Sequence, residues 1–157
     1  MSGELKDYAV IDAENAIVGR LASVVAKRLL NGEKIAIVNA EKAVISGDYH
    51  NILEEYKQWL QIRTLTNPRK GPFHYRRPDK LVKRIIRGML PWKTWRGRMA
   101  YKRLRVFIGV PEELKDVPKE KLKIADASRL RGKYITIFEL SRQIGWNPPK
   151  SMAGGEN

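Results

Sequence analysis

YAVIDAENAIVGRLASVVAKRLLNGEKIAIVNA (8–40) decides the fold. YAVID (8–12) is a short apolar run of strand type. Leu21, Val24 and Val25, with Ala22, Ala26 and Leu29, then recur at helical spacing through IVGRLASVVAKRLLNG (17–32). Gly32 stands where the residue after a helix needs a left-handed backbone. KIAIVNA (34–40) follows as a second strand of buried type. A crossover of this length lets the two strands pair in parallel.

Working outward, AVISGD (43–48) either extends the strand region or turns out of it. DYHNILEEYKQWLQIR (48–63) places Ile52, Tyr56, Trp59 and Leu60 on one side and reads as an amphipathic helix. TNPRKGPFHYRRP (66–78) holds too much Pro and Gly for a long regular element. Pro78 suits the first position of a helix through DKLVKRIIRGML (79–90), and Pro91 should stop it. A short helix over MAYKRL (99–104) precedes the strand-like RVFIGV (105–110). Pro111 to Lys121 reads as a charged loop and LKIAD (122–126) as a short strand. Thr136 and Glu139 have capping-box spacing, which predicts a helix through LSRQIG ending at Gly145. Alternating strands and helices with continuous apolar strands argue for an α/β domain, a small parallel sheet covered by helices. One domain over 1–145 is expected, followed by a tail, WNPPKSMAGGEN (146–157). A chain of 157 residues buries roughly 70% of its unfolded surface, enough for a core.

The charge is distributed unevenly. The chain has 31 Lys and Arg against 17 Asp and Glu, a net of +14. Between Arg63 and Arg105 stand 15 of those cations and one acid, Asp79, so this window holds the entire excess and the remaining 114 residues are neutral. A uniformly solubilising charge would not be confined in this way. The pattern points to a polyanionic partner.

Several classes are excluded or weakened. Without Cys there are no disulfides and no thiolate metal sites. MSGELKDYAV lacks an apolar signal core and a Met-Gly start, and no stretch approaches the ~20 apolar residues of a membrane span, so a cytoplasmic location is expected. DAENAIVGR, after the first strand, carries one glycine and acidic residues where a dinucleotide fingerprint needs three glycines. Gly132–Lys133 is followed by Tyr134 and sits in no phosphate-binding loop frame. Asp48 and His50 could give two metal ligands without a third nearby, and a turn leading into a helix accounts for them better. Adjacent Glu54 and Glu55 suit a solvated helix face. No nucleophile, base and orienter come together, so no catalytic residues, cofactor or metal are expected.

Within the basic window, Lys80, Lys83, Arg84 and Arg87 follow i, i+3, i+4, i+7 spacing along one stripe of the 79–90 helix. Leu81, Val82, Ile85, Ile86 and Met89 fill the other side. A merely wet helix face normally includes Glu, because like charges at i,i+4 cost about 0.2–0.5 kcal/mol each. The flanking NPRKGPFHYRRP and LPWKTWRGR mix cations with glycines and aromatics. Arg forks suit phosphate oxygens, glycines admit backbone close to a phosphodiester, and Phe73, Tyr75, Trp92 and Trp95 offer rings for stacking. Trp92 is the one of these best suited to the core, and His74 fits stacking or phosphate contact better than general-base work. So irregular a run fits folded RNA better than a regular duplex groove. A membrane-surface helix would want a larger apolar face with no competing core.

VIDAENAIVGRLASVVAKRLLNGEKIAIVNAEKAVISGD resembles the N-terminal half of the large-subunit ribosomal protein 13 family. NPRKGPFHYRRPDKLVKRIIRGMLPWKTWRGRMAYKRLRVFIGVP resembles its middle, in the archaeal form. VIDA…GRLAS, IVNAEK and RGMLP…GR are the specific matches, and the two stretches cover just over half of the chain. The resemblance implies a three-layer α/β/α domain around a four-stranded, mainly parallel sheet, with a basic helix-and-loop excursion. It implies a structural constituent of the large ribosomal subunit, bound to large-subunit ribosomal RNA beside other ribosomal proteins, with no enzymatic activity. Carried over by position, the RNA-contacting segments are 67–77 and 87–105. The candidate RNA-binding residues are then Asn67, Arg69, Lys70, Gly71, Phe73, His74, Tyr75, Arg76 and Arg77 in the first segment. Lys80, Lys83 and Arg84 join them from the helix. Arg87, Gly88, Pro91, Trp92, Lys93, Trp95, Arg96, Gly97, Arg98, Lys102, Arg103 and Arg105 complete the set. His74–Tyr75 and the Trp92–Trp95 stretch depart from the family pattern. The chain lacks both the long C-terminal helical extension of eukaryotic relatives and a bacterial-type ending, which points to the archaeal type. A free RNA-binding regulator and a nucleic-acid-modifying enzyme are the alternatives. The enzyme would depend on His50, His74 or a carboxylate.

Overall fold

The structure, a computed structural model, describes residues 5–153. The readings that fall on residues 1–4, at the chain start, and 154–157, at the end of the tail, lie outside it.

The opening unit folds as its periodicity predicts. Strand β1 (Ala9–Asp12) and strand β2 (Ile35–Val38) pair in parallel across helix α1 (Val18–Leu30). Helix α1 ends in a paired-hydrogen-bond cap. Gly32 takes φ +98°, its N–H donates to the Leu29 carbonyl at 3.1 Å, and the Glu33 N–H donates to that of Arg28 at 3.2 Å. Strand β3 (Val44–Ser46) turns away from β2, and helix α2 (Tyr49–Gln61) follows. Helices α3 (Pro78–Gly88) and α4 (Trp95–Lys102) lead into strand β4 (Leu104–Val106), which joins the far side of β2 in parallel. Strand β5 (Tyr134–Thr136) runs straight into helix α5 (Ile137–Gln143), and α6 (Lys150–Ala153) is a single turn.

The α/β class holds, but the sheet is not four parallel strands. It has three, in the order β1-β2-β4, and β3 pairs antiparallel with β5 in a separate ribbon. The short strand anticipated at LKIAD is instead a single 3-10 turn, Lys123–Ala125, which buries Ala125 against the core holding α1. The outer edge of β1 is covered by Glu120, whose backbone exchanges 2.9 Å hydrogen bonds with Val10 and Asp12.

β2 is the centre of the molecule, with all four residues fully buried. Period-two alternation sorts the sheet residues between two cores. Ile11, Ile35 and Ile37 face a large core with Leu21, Val25 and Leu29 of α1, Val82 and Ile86 of α3, and Leu140 of α5. Val10, Ala36 and Val38 face a smaller one closed by Leu114, Phe107 and Val117. The 111–121 loop is therefore the cover of this second face, and its Glu112–Leu114 turn buries Leu114. Each large aliphatic side chain withdrawn from water contributes about 1.5–3 kcal/mol. Because α3 is anchored in the same core as α1 and the sheet, its charged flank is held rigidly outward.

Candidate nucleic-acid interface

Residues 62–76 double back as a finger. The Lys70 N–H donates to the Asn67 carbonyl at 3.1 Å, closing a turn over Pro68 and Arg69 at the tip. Gly71 is buried where the returning arm crosses the outgoing one, and a Cβ there would press on the Thr64 backbone at 3.2 Å. Lower down, His74 Nε2 lies 2.6 Å from the Ile62 carbonyl. A carbonyl only accepts, so Nε2 carries the proton. The His74 ring stands edge-on to Trp59 of α2 at 4.4 Å, which ties the finger's base to the body. Every residue from Gln61 to Lys70 is exposed, including Asn67, Arg69 and Lys70. Phe73 is 66% exposed and Tyr75 42%. Arg76 runs along the end of α5, its Cδ 3.4 Å from the position a Cβ would take on Gly145.

Helix α3 starts at Pro78, as expected, and stops at Gly88, three residues before Pro91. Leu81, Val82 and Ile86 are buried, while Lys80 and Arg84 face water. Met89 is not on the packed side: it lies just past the helix and is 44% exposed. Asp79, the window's one acid, lies 3.3 Å from Arg77. Among the described residues, Arg77 is the only cation between 63 and 105 found in an ion pair. Lys83 is half-buried with its Nζ 4.7 Å above the Tyr101 ring. Burial, then Lys80 and Arg105, hold its ammonium below the usual lysine range, with Asp79 opposing.

Helix α4 begins four residues earlier than the helix expected over 99–104, because Thr94 caps it. Its Oγ1 accepts from the Gly97 N–H at 3.3 Å and donates to the Pro91 carbonyl at 2.8 Å. Gly97 is buried, and a Cβ there would collide with the Pro91 carbonyl. Trp92, the ring expected to suit the core best, is half-buried and packs in none of the hydrophobic cores; it serves instead as a platform for cations. The Arg87 guanidinium carbon lies 4.0 Å from its ring centroid and that of Arg98 6.0 Å away, with Tyr101 edge-on at 5.0 Å. Trp95 is 73% exposed. Gly88, Pro91, Lys93, Arg96, Lys102 and Arg105 are exposed too. Arg103 points inward, donating to the Leu29 carbonyl at the end of α1 at 2.6 Å. Sequence reasoning missed Tyr101 and Thr94, which organise these cations. Thr94 had a legible signal, a capping residue before a helix; Tyr101 had none, since its partners lie along α3 and the 91–94 turn.

Asp48 precedes the first residue of α2 and His50 is exposed in its first turn, the turn-then-helix start expected there. No cluster of three metal-ligating side chains occurs among the described residues, and no helix there is long and apolar enough to cross a membrane.

Against known proteins, the family model described as Ribosomal protein L13 matches residues 6–113. The Large ribosomal subunit protein uL13 of Methanopyrus kandleri is 52% identical over 147 residues, covering 92% of this chain and 91% of the relative. That of Archaeoglobus fulgidus is 51% identical over 142 residues, 89% of each. That of Saccharolobus solfataricus is 44% identical over 149 residues, 94% of this chain and 99% of the relative.

Proposed function

This chain belongs to the ribosomal protein L13 family, and from that premise we propose that it binds large-subunit ribosomal RNA through its finger, α3 and α4. It is a structural constituent of the large ribosomal subunit in the cytoplasm, and not an enzyme. The observation that carries the RNA-binding assignment is the window of 15 cations in which only Arg77 is ion-paired among the described residues. Exposed Arg and Lys at the finger tip, along α3 and on α4 neutralise phosphates where RNA segments converge, releasing condensed counterions. Phe73, Tyr75 and Trp95 offer open rings to unpaired bases or riboses. The neutral α/β body holds these parts in place and leaves surface for neighbouring ribosomal proteins.

Sedimentation of a native extract, probed for this chain, tests the role. Migration with the large subunit that survives moderate salt and is lost on ribonuclease treatment is the expected result. Recovery near the top of the gradient at low salt would sink it and favour a free regulator. For the isolated protein, about 6–10 phosphate contacts correspond to a loss of about 10³–10⁵ in RNA affinity between about 50 and 200 mM salt.

A further inference from the structure

Two arginines from different helices meet on one ring. Arg87 leaves the last turn of α3, Arg98 leaves the first half of α4, and both guanidiniums lie within reach of the Trp92 indole, at 4.0 and 6.0 Å. Arg98 Nε also donates to the Trp92 carbonyl at 3.2 Å. Tyr101 supports the indole edge, and Gly97 lets α4 close onto the Pro91 carbonyl, so the spacing of the two helices is set by packed groups. Arg84 and Lys93, with Arg87 and Trp92, line an open groove of about 360 Å³, and Arg98 joins it only through its contacts with Trp92. None of these four cations has an ion-pair partner among the described residues.

A guanidinium laid over a π face keeps its in-plane N–H edge free, and the ring restricts its rotamers without neutralising its charge; Arg98, whose Nε–H is taken by the Trp92 carbonyl, offers its terminal N–H groups. Cations gathered and oriented in this way, with no carboxylate, are complementary to an anion bearing several acceptor oxygens. On the footing of the RNA-binding role proposed above, we infer that this groove is a subsite for the phosphodiester backbone, and that Trp92 is its positioning residue. The indole presents Arg87 and Arg98 as a preset pair of donors to neighbouring phosphates. Trp92 therefore acts on RNA affinity through the arginines, beyond any contact of its own.

Trp92→Leu leaves the formal charge untouched, which separates positioning from bulk electrostatics. Binding of a large-subunit ribosomal RNA transcript is measured across salt for wild type, Trp92→Leu, Trp92→Phe and Arg87→Ala/Arg98→Ala, with thermal melts alongside. The Leu variant is expected to bind about tenfold more weakly, and its log K against log salt plot to be shallower by about 1–2, as for lost phosphate contacts. Phe, which keeps a π face, restores most of both, and adding Trp92→Leu to the double arginine variant weakens binding no further. An unchanged slope in a folded Leu variant, or equal losses with Leu and Phe, overturns the proposal. A second measurement needs no variant: inorganic phosphate titrated into the wild-type protein should move the Arg87 and Arg98 Nε–H resonances together and before that of Arg69. Movement of Arg69 alone overturns it as well. A wild type with no salt-dependent affinity for the transcript would defeat the RNA-binding role itself.

Discussion

Gly97 is buried within the proposed interface, where α4 closes on the 91–94 turn. Its sequence context, between cations and aromatics, suggested a glycine kept small for a phosphodiester. In the fold its open side is already filled by the Pro91 carbonyl. Adding one methyl group there must push α4 off the 91–94 turn, and forced overpacking of this kind costs about 1–3 kcal/mol. Gly97→Ala should therefore lower the denaturant midpoint by a corresponding amount. It should also weaken RNA binding, because Arg98 is carried on the displaced helix. A substitution that left both melting and binding unchanged would contradict the packing described. Gly88, exposed and with open space around it, is the control for packing alone, where Ala should leave the denaturant midpoint unchanged.

Among elements, the two threonine caps separate stability from function. Thr94 caps α4 and Thr136 caps α5, each accepting a backbone N–H three residues on, at 3.3 and 3.2 Å. Replacing either with Ala should cost about 1 kcal/mol of folding stability. Only Thr94→Ala should also reduce RNA affinity in a binding titration, since α4 carries Trp95, Arg96 and Arg98 whereas α5 lies outside the basic window. Long periodic elements were the ones legible in the sequence: α1, α2 and α3 each present several turns of apolar spacing. β3 and β5 are three residues each, too short for a period to register, and their pairing depends on contact between residues about ninety positions apart. LKIAD had a strand's composition, but its Ala125 is drawn into the core under α1 and the backbone tightens into a 3-10 turn. The same limit applies to the interface. Its cations were visible as charge, but Tyr101 beneath Lys83 and Trp92 beside Arg87 are through-space relations that no local pattern encodes.

For the whole molecule, one-sided charge opposes folding while favouring assembly. Along α3, Lys80–Lys83, Lys80–Arg84, Lys83–Arg87 and Arg84–Arg87 are like-charged neighbours, each costing about 0.2–0.5 kcal/mol. Salt screens that repulsion. Raising ionic strength should therefore stabilise the free protein by about 1 kcal/mol, lifting its melting midpoint by about 2–4 °C, while weakening its RNA complex. Scanning calorimetry and binding titrations over one salt series check these opposite signs; a melting point that fell with salt would mean that the cations are internally compensated. The finger has a further consequence outside the subunit. Its arms touch at Gly71 and His74, but Arg69 and Lys70 ride on an exposed turn, the kind of bond a trypsin-like protease can thread into its cleft. If RNA covers that turn as proposed, limited tryptic digestion should cut the free protein at its tip and spare the RNA-bound one, and equal cutting of both would count against an RNA contact there.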